Sequence, residues 1–274
     1  MNIVLFEQEE VVHGCAVLSF RDSRFCHIRR VLKLSAGACF KAGIINGVKG
    51  SARISLATEK YLVAVFEKLE YEDCALFPLH LVIGFPRPIQ LRRILRDVSS
   101  LGISSIHLVG TELGERSYLD SGLAHMEKMH TYLIRGLEQA GGTKLPLITV
   151  SESVRTFCSQ HTHILGDSTH QKLILDTKNT LTDLGSAALR GDVLWIAIGS
   201  ERGWTESERL LFSAMGFRAV DMGRRTLRTE TAACAACAVV LANAHAWKRK
   251  IPRPGKRSSP ISRKNPQIRI TLKK

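Results

Sequence analysis

The sequence has few of the features that mark secreted or membrane-spanning proteins. Its seven cysteines are odd in number and mostly isolated, which argues against a disulfide framework and favours a reducing compartment. Residues 1–12 are too acidic, and their apolar run is too short, for a secretory signal peptide. The longest apolar run, residues 232–242, is too short to span a bilayer. These absences predict a cytoplasmic protein with no membrane segment.

Metal-ligand patterns and internal repeats are also lacking. His161, His163 and His170 have no acidic partner at ligand spacing. The close pair Cys234 and Cys237 lies in an alanine-rich segment with no second pair, which is typical of small core residues. We therefore predict no metal site.

Acidic residues are missing from the end of the chain. Residues 248–274 hold eleven Lys or Arg and no Asp or Glu, which leaves 28 basic against 25 acidic residues elsewhere, so most of the net charge of +14 belongs to this tail. Such arms often neutralise phosphates, although a solvated, disordered end is an equally good interpretation.

The remaining 247 residues are long enough for two domains. Strand-like runs separated by hairpin-type turns predict a small β-rich domain over residues 1–74, with strands at 3–6, 39–45, 50–57 and 61–69. Alternating strands and helices predict an α/β domain with a mainly parallel sheet over residues 78–247. Its predicted strands are 79–85, 105–109, 147–150, 163–165, 172–175, 193–198 and 217–222, and its predicted helices are 89–101, 123–139, 206–215 and one from about 231, with a loop over 110–122.

Two short loops in the second domain carry most of the functional signal. Residues 199–203 follow an apolar strand and precede a helix whose capping box is Thr205 with Glu208, and residues 222–231 follow the next strand. Loops at the carboxyl ends of parallel strands are where open α/β sheets bind ligands. The sequence predicts a ligand site between these two loops.

The paired loops resemble a known family. IGSERG-W-TESE followed by MGRRTLRTETAA is similar to the paired signatures of RsmE proteins, SPOUT-superfamily methyltransferases that modify a uridine of small-subunit ribosomal RNA. The resemblance implies a deep trefoil knot in the α/β domain, S-adenosylmethionine bound in the knot, and methylation of uridine N3 in 16S ribosomal RNA. Superfamily members also pair through a helix like the alanine-rich one here, so we expect a homodimer.

The resemblance suggests roles for particular residues. We expect the cofactor to lie against Gly199, Glu201, Gly203, Met222, Gly223, Leu227 and Thr231. Glycines there let the backbone approach a ligand closely, although tight turns alone would also require glycines. Arg228 is the candidate for stabilising the charge that develops on the uracil. The alternative is a structural role, in which Arg228 forms a salt bridge or bonds to carbonyls of its own loop. Glu230 is the candidate general base, but capping and dipole interactions are more usual for an acid in the first turn of a helix.

Basic residues supply the candidate RNA contacts. The segment RFCHIRRVLK at 24–33 resembles a motif of the RsmE N-terminal domain, a PUA-like domain that grips RNA. The candidates are Arg24, His27, Arg30 and Lys33 in that segment, with Arg116 and Arg202 in the second domain, and each is otherwise a solvated surface charge.

Some positions depart from the family pattern. Asp97 and Ser100 stand where the family has lysine and glutamate, and Ser200 and Arg202 replace proline and glycine in the first loop. Three interpretations therefore stay open: a uridine-N3 methyltransferase of 16S ribosomal RNA, a non-catalytic RNA-binding or ribosome-assembly protein, and a methyltransferase of another RNA.

Overall fold

The strands of the protein form two separate sheets. The computed structural model describes residues 2–71, 75–123, 126–178, 180, 182–189 and 191–247. One sheet has five strands and ends with residue 71, and the other has six strands and begins at residue 77. The predicted basic tail, residues 248–274, lies outside the described residues, as does Cys74 at the predicted boundary.

The first sheet is mostly antiparallel. Its order is β1-β3-β4-β5-β2, with only β1 and β3 parallel, and it surrounds a core that includes Phe6, Leu18, Ile54 and Leu62. The four predicted strands are present, and β2 is an unpredicted fifth strand. The strands are β1 (Val4–Phe6), β2 (Cys15–Ser19), β3 (Cys39–Ile44), β4 (Val48–Ala57) and β5 (Tyr61–Tyr71).

The segment between β2 and β3 contains helical turns. Helix α1 (Ser23–Cys26) begins after Asp22, whose side chain accepts a hydrogen bond from the Arg24 amide. The chain continues through a π-helical turn, His27–Val31.

The second sheet is entirely parallel, which confirms that prediction. Its order is β11-β9-β10-β6-β7-β8, so β10 inserts between β6 and β9 and the strand order reverses there. Near-continuous apolar sequence suits strands that are covered on both faces. The strands are β6 (Phe77–Gly84), β7 (Ile103–Val109), β8 (Leu147–Ser151), β9 (Gln171–Leu175), β10 (Leu194–Ile198) and β11 (Arg218–Val220).

Helices cover both faces of the six-stranded sheet. One core cluster packs Leu81 and Ile196 against α2, α4 and α8, and another packs Trp195 and Ala197 against α5 and α7. No helix within the described ranges is long and apolar enough to cross a membrane. The helices are α2 (Pro88–Ser99), α3 (Arg116–Leu123), α4 (Met126–Ala140), α5 (Val154–Gln160), α6 (Thr162–Leu165), α7 (Glu206–Ala214) and α8 (Thr229–Asn243).

Four helical segments differ from the prediction. The strand predicted at 163–165 is wrong, because these residues form α6. The loop predicted over 110–122 contains most of α3, and α5 was not predicted, although Ser153 caps it. Helix α8 begins at Thr229 rather than at about 231.

The two sheets meet at β1 and α4. Ile3 and Leu5 pack against Leu137, and the amides of Asn2 and Ile3 donate hydrogen bonds to the Glu138 carbonyl. Burial raises the pKa of the Glu138 carboxyl to about 7. The N-terminal strand therefore belongs to the first sheet and also contacts the second half of the chain.

Candidate active site

A cavity of about 260 Å³ lies at the carboxyl edge of the six-stranded sheet, between the two loops singled out in the sequence. It sits where β10 separates β6 from β9, the reversal of strand order at which open α/β sheets place ligands. Its lining residues come from the ends of β9, β10 and β11 and the start of α8. They are Leu175, Asp176, Thr177, Ile198, Gly199, Ser200, Glu201, Arg202, Gly203, Trp204, Met222, Gly223, Arg225, Thr226, Leu227, Thr229 and Ala232.

Six of the seven residues predicted to hold a cofactor line this cavity, and Thr231 does not. Thr231 is exposed in the first turn of α8, because that helix begins two residues before the expected position. Thr229, which is buried, takes its place in the lining. The sequence also did not single out Asp176 or Trp204, since neither belongs to a glycine-rich turn.

Glycines shape both loops. A Cβ at Gly199 would lie 2.8 Å from the Gly203 Cα, so the turn at 199–203 closes only without a side chain there. Gly203 and Gly223 have φ values of +76° and +86°, in the left-handed region that favours glycine. A Cβ at Gly223 would meet no atom within 4 Å, so the backbone beside the cavity stays uncovered.

The first loop is tied to its neighbours by polar contacts. The Glu201 carboxylate accepts a hydrogen bond from the Arg87 amide at 3.2 Å, before α2. Ser200 accepts one from the Thr111 hydroxyl at 3.1 Å. The Arg202 guanidinium lies 3.9 Å from the Glu115 carboxylate, although both side chains are largely exposed. The two departures from the family pattern in this loop, at 200 and 202, thus contact the loop after β7.

The floor of the cavity is fixed by an ion pair. The Asp176 carboxylate, 7% exposed, accepts from Arg209 on α7 at 2.5 Å and from the Thr177 amide at 2.7 Å. Asp221 accepts from the Gly223 amide at 2.8 Å. These contacts fix the backbone at the ends of β9 and β11 beside the cavity.

The two candidate catalytic residues have different surroundings. Arg228 immediately precedes α8 and is exposed, and its guanidinium makes no hydrogen bond or ion pair with any described residue. It does not line the cavity. The Glu230 carboxylate, 14% exposed, lies 3.4 Å from Arg93 of α2, in the first turn of α8. This contact suits the structural role for Glu230.

A larger cavity of about 500 Å³ lies at the same edge of the sheet, beyond the ends of β6, β7 and β8. Arg116 and Arg155 line it, together with Glu112, Glu152 and Asp120. The sequence indicated only Arg116 in this region. The cavity was missed because it depends on α3 and α5, which the sequence patterns did not predict.

The predicted RNA-contacting residues of the first sheet do not form one uniform surface. Arg24 is 18% exposed, and its guanidinium donates to Glu10, Asp22 and the Leu5 carbonyl. These partners occupy the Arg24 guanidinium within the protein, and its assignment as an RNA contact stays a prediction.

Of the other three candidates in this segment, two are exposed to solvent and one is partly buried. Arg30 and Lys33 are exposed. The Nε2 atom of His27 is buried without a hydrogen-bond partner among the described residues, and desolvation lowers the pKa of its imidazole. The accessible charge of this segment is therefore at Arg30 and Lys33.

Comparison with known proteins gives a consistent result. A family model for an RNA methyltransferase domain matches residues 73–241. Ribosomal RNA small subunit methyltransferase E 1 of Borreliella burgdorferi is 31% identical over 238 residues, which span 86% of this chain and 95% of that protein. The corresponding enzyme of Synechocystis is 26% identical over 240 residues, 85% of this chain and 74% of that protein.

Solved structures share the fold. A methyltransferase from Legionella pneumophila, in complex with S-adenosylmethionine, has a TM-score of 0.72 at 21% identity, over 88% of this chain and 97% of that one. Ribosomal RNA small subunit methyltransferase E from Neisseria gonorrhoeae, bound to the same cofactor, has a TM-score of 0.68 at 22% identity over the same shares.

The fold and the family match define the class, since residues 73–241 form an RNA methyltransferase domain. Within that class the chain belongs to the ribosomal RNA small subunit methyltransferase E family. The family predicted from the two loops is confirmed.

Proposed function

We propose that this protein methylates N3 of a uridine in 16S ribosomal RNA, with S-adenosylmethionine as the methyl donor. The observation that carries the proposal is the cavity between the loops 199–203 and 222–228, in which six predicted cofactor residues come together. The relatives are named as small-subunit ribosomal RNA methyltransferases, and two solved relatives hold S-adenosylmethionine.

The residues of the cavity suit this cofactor. Leu175, Ile198 and Leu227 offer apolar contacts for a base, and the uncovered Gly223 carbonyl offers a hydrogen-bond acceptor. Glu201 provides a carboxylate at the rim. When bound, S-adenosylmethionine supplies a methyl group already activated by its sulfonium.

The remaining chemistry falls to the protein and concerns the acceptor. Uridine N3 is a weak acid that must lose its proton before it attacks, and positioned donors stabilise the charge that develops on the uracil. Arg228 is exposed, free of partners among the described residues, and joined to the cavity through Leu227. We assign it this role and assign Glu230 to the start of α8.

RNA binding is assigned to basic residues of both domains. Arg202 lines the cavity between the two loops and Arg116 lines its larger neighbour, while Arg30 and Lys33 are exposed cations of the first domain. The proposal also includes a deep trefoil knot, a PUA-like first domain and a homodimer, all of which rest on the family resemblance.

Calorimetry of cofactor binding tests the site. Gly223→Val should abolish S-adenosylmethionine binding, because a branched side chain would be forced into left-handed backbone beside the cavity. Gly14→Val is the matched control: Gly14 also has a positive φ, +75°, and open space, but lies before β2 in the other sheet. Retained affinity in Gly223→Val would place the cofactor elsewhere.

Mass spectrometry of RNA digests tests the target. Small ribosomal subunits from a strain that lacks this protein should gain one N3-methyluridine after incubation with the protein and cofactor. A modified base in another RNA would redirect the assignment to that substrate. Cofactor binding without methylation of any RNA would favour the non-catalytic interpretation.

A further inference from the structure

A third cavity, of about 270 Å³, lies at the opposite edge of the six-stranded sheet. It is at the amino ends of β9 and β11, which begin at Gln171 and Arg218. Since the cofactor cavity is at the carboxyl ends of the same strands, the two cavities are separated by the length of the strands.

A buried lysine is the central feature of this cavity. Lys172 is 7% exposed, and its Nζ donates to the carbonyls of Leu165 at 2.6 Å and Asp167 at 3.1 Å, at the end of α6. No carboxylate among the described residues forms an ion pair with it. A buried charge is costly unless it is paired, and the two carbonyls are neutral; the Asp167 carboxylate attracts the ammonium without forming an ion pair with it.

Further positive groups line the same space. Arg218 is exposed and has no ion-pair partner within the described part of the chain. The side chain of His170 is 15% exposed, and its Nδ1 is buried without a hydrogen-bond partner among the described residues. The nearby acid is Asp167, 45% exposed, which accepts from the amide and hydroxyl of Thr169 and lies 3.6 Å from His170. Lys172 and Arg218 together outweigh this single acid.

Gly216 leaves the ammonium open on one side. It has a φ of +83° after α7, and a Cβ there would lie 3.4 Å from the Lys172 Nζ. Ser168 and Thr169 also line the cavity, where the Thr169 hydroxyl is already bonded to Asp167. A buried ammonium and an arginine fork are groups that bind phosphate oxygens.

We propose that this cavity binds a phosphate group, supplied either by inorganic phosphate or by the backbone of an RNA. The buried Lys172 ammonium neutralises part of the phosphate charge, and the exposed Arg218 guanidinium binds the phosphate from the surface. The competing explanation is that Lys172 only caps the end of α6 and the cavity holds water.

Titration with inorganic phosphate on the full chain distinguishes these explanations. Binding is followed by calorimetry at constant ionic strength, with chloride as the replaced anion. Arg218→Gln should weaken phosphate about tenfold, the loss expected for one charge-assisted contact. Lys60→Gln is the matched control, because Lys60 is an exposed cation in the turn between β4 and β5. Phosphate bound by the basic residues 248–274 contributes equally to both variants, so their difference isolates the cavity.

Lys172→Met should remove phosphate binding at the cavity. If that variant does not fold, the wild-type and Arg218→Gln titrations still decide. Identical phosphate isotherms for Arg218→Gln and Lys60→Gln, or no binding beyond a chloride blank in the wild type, would overturn the proposal.

Competition identifies the source of the phosphate. A short single-stranded RNA that displaces phosphate from the wild type but not from Arg218→Gln indicates an RNA backbone contact. Phosphate that stays bound beside the RNA indicates a free anion. Neither readout involves methyl transfer, so failure of this site would leave the proposed function intact, and the reverse also holds.

Discussion

Arg228 presents a guanidinium without a partner among the described residues, next to the loop that lines the cofactor cavity. Removal of one positioned donor to a developing charge typically lowers turnover by about 10²-fold or more. We expect Arg228→Ala to show a loss of this size in single-turnover methylation of small ribosomal subunits. Arg228→Lys should recover only part of it, because an ammonium lacks the planar fork.

Arg224→Ala provides the control for this experiment. Arg224 is exposed in the same loop and does not line the cavity, so its loss should leave turnover near wild type. Circular dichroism and calorimetry should show that fold and cofactor affinity persist in both alanine variants. Near-wild-type turnover in Arg228→Ala would assign the residue to loop structure, and loss of cofactor affinity would make it a binding residue.

A row of buried and partly buried polar side chains crosses the face of the six-stranded sheet that α5 and α7 cover. His80 contacts the Ser105 hydroxyl at 2.6 Å, Ser105 contacts His107 at 2.7 Å, and His107 contacts the Thr149 hydroxyl at 2.8 Å. The His80 ring stacks on Trp195 with centroids 4.2 Å apart. Desolvation lowers the pKa of His80 to about 4 and that of His107 to about 3, so both imidazoles are neutral in the folded protein.

These histidines make stability depend on pH. The unfolded chain binds their protons below a pKa of about 6.5 while the folded protein does not, so the free energy of unfolding falls as pH drops from 6.5 toward 3. At pH 5 the His107 contribution is about 2 kcal/mol. We expect His107→Gln to lose correspondingly less stability between pH 7 and pH 5 in denaturant titrations, whereas exposed His163→Gln should follow the wild type. Parallel curves for wild type and His107→Gln would contradict this assignment.

At the scale of elements, α7 begins with the capping box that the sequence predicted, Thr205 with Glu208. The structure adds a second function for the Glu208 carboxylate, which is 2% exposed: it also accepts from the Glu112 amide of the loop after β7, at 2.9 Å. Glu208→Ala leaves two amides without their acceptor, and we expect a loss of about 2–4 kcal/mol in the free energy of unfolding. Glu206→Ala, exposed in the same turn, should cost little. A small effect of Glu208→Ala in urea titrations would show that water replaces it.

Long apolar runs and helix caps made most elements predictable. The predicted bounds of the strand at 193–198 and of the helix after Thr205 agree with the structure to within one residue. Burial on both faces requires a continuous apolar run, and a capping box requires particular residues, so both can be recognised in the sequence. The short segment at 163–165 was misread, since a three-residue apolar run fits a strand or a helix equally well. Helix α3 packs Leu119 into the core, a contact that local patterns do not encode, whereas α5 has a local signal, its Ser153 cap, that the prediction did not use.

The candidate site divides in the same way. Glycines are typical of turns, so those at 199, 203 and 223 allowed the two loops that line the cavity to be predicted. The partners of Arg24 come from residues 14 positions and 2 positions away, and only the folded chain brings Glu10 and Asp22 together around it. Charge alone therefore does not reveal which basic side chains are already paired within the protein.

At the scale of the whole molecule, α8 has more apolar surface than its own chain covers. Ala233, Ala236, Cys237, Val240 and Leu241 are buried against the sheet, while the side that bears Ala235, Ala238 and Ala242 is half-buried or exposed. A helix that is apolar on every face is normally covered on every face, and small side chains allow a second helix to approach closely. A second copy of the chain would supply that cover and complete the homodimer predicted from the sequence.

Sedimentation tests this arrangement. The wild type should sediment as a dimer at micromolar concentration, and Ala238→Glu should shift it to monomer because a carboxylate would be buried without a partner in the helix pair. Ala214→Glu places the same charge on the exposed end of α7 and should remain dimeric. Because Ala238 lies away from the cofactor cavity, a monomer that still binds S-adenosylmethionine but methylates slowly would mean that the partner subunit supplies part of the RNA site. A wild type that is monomeric throughout would leave the open face of α8 to another partner and remove the dimer from the proposal.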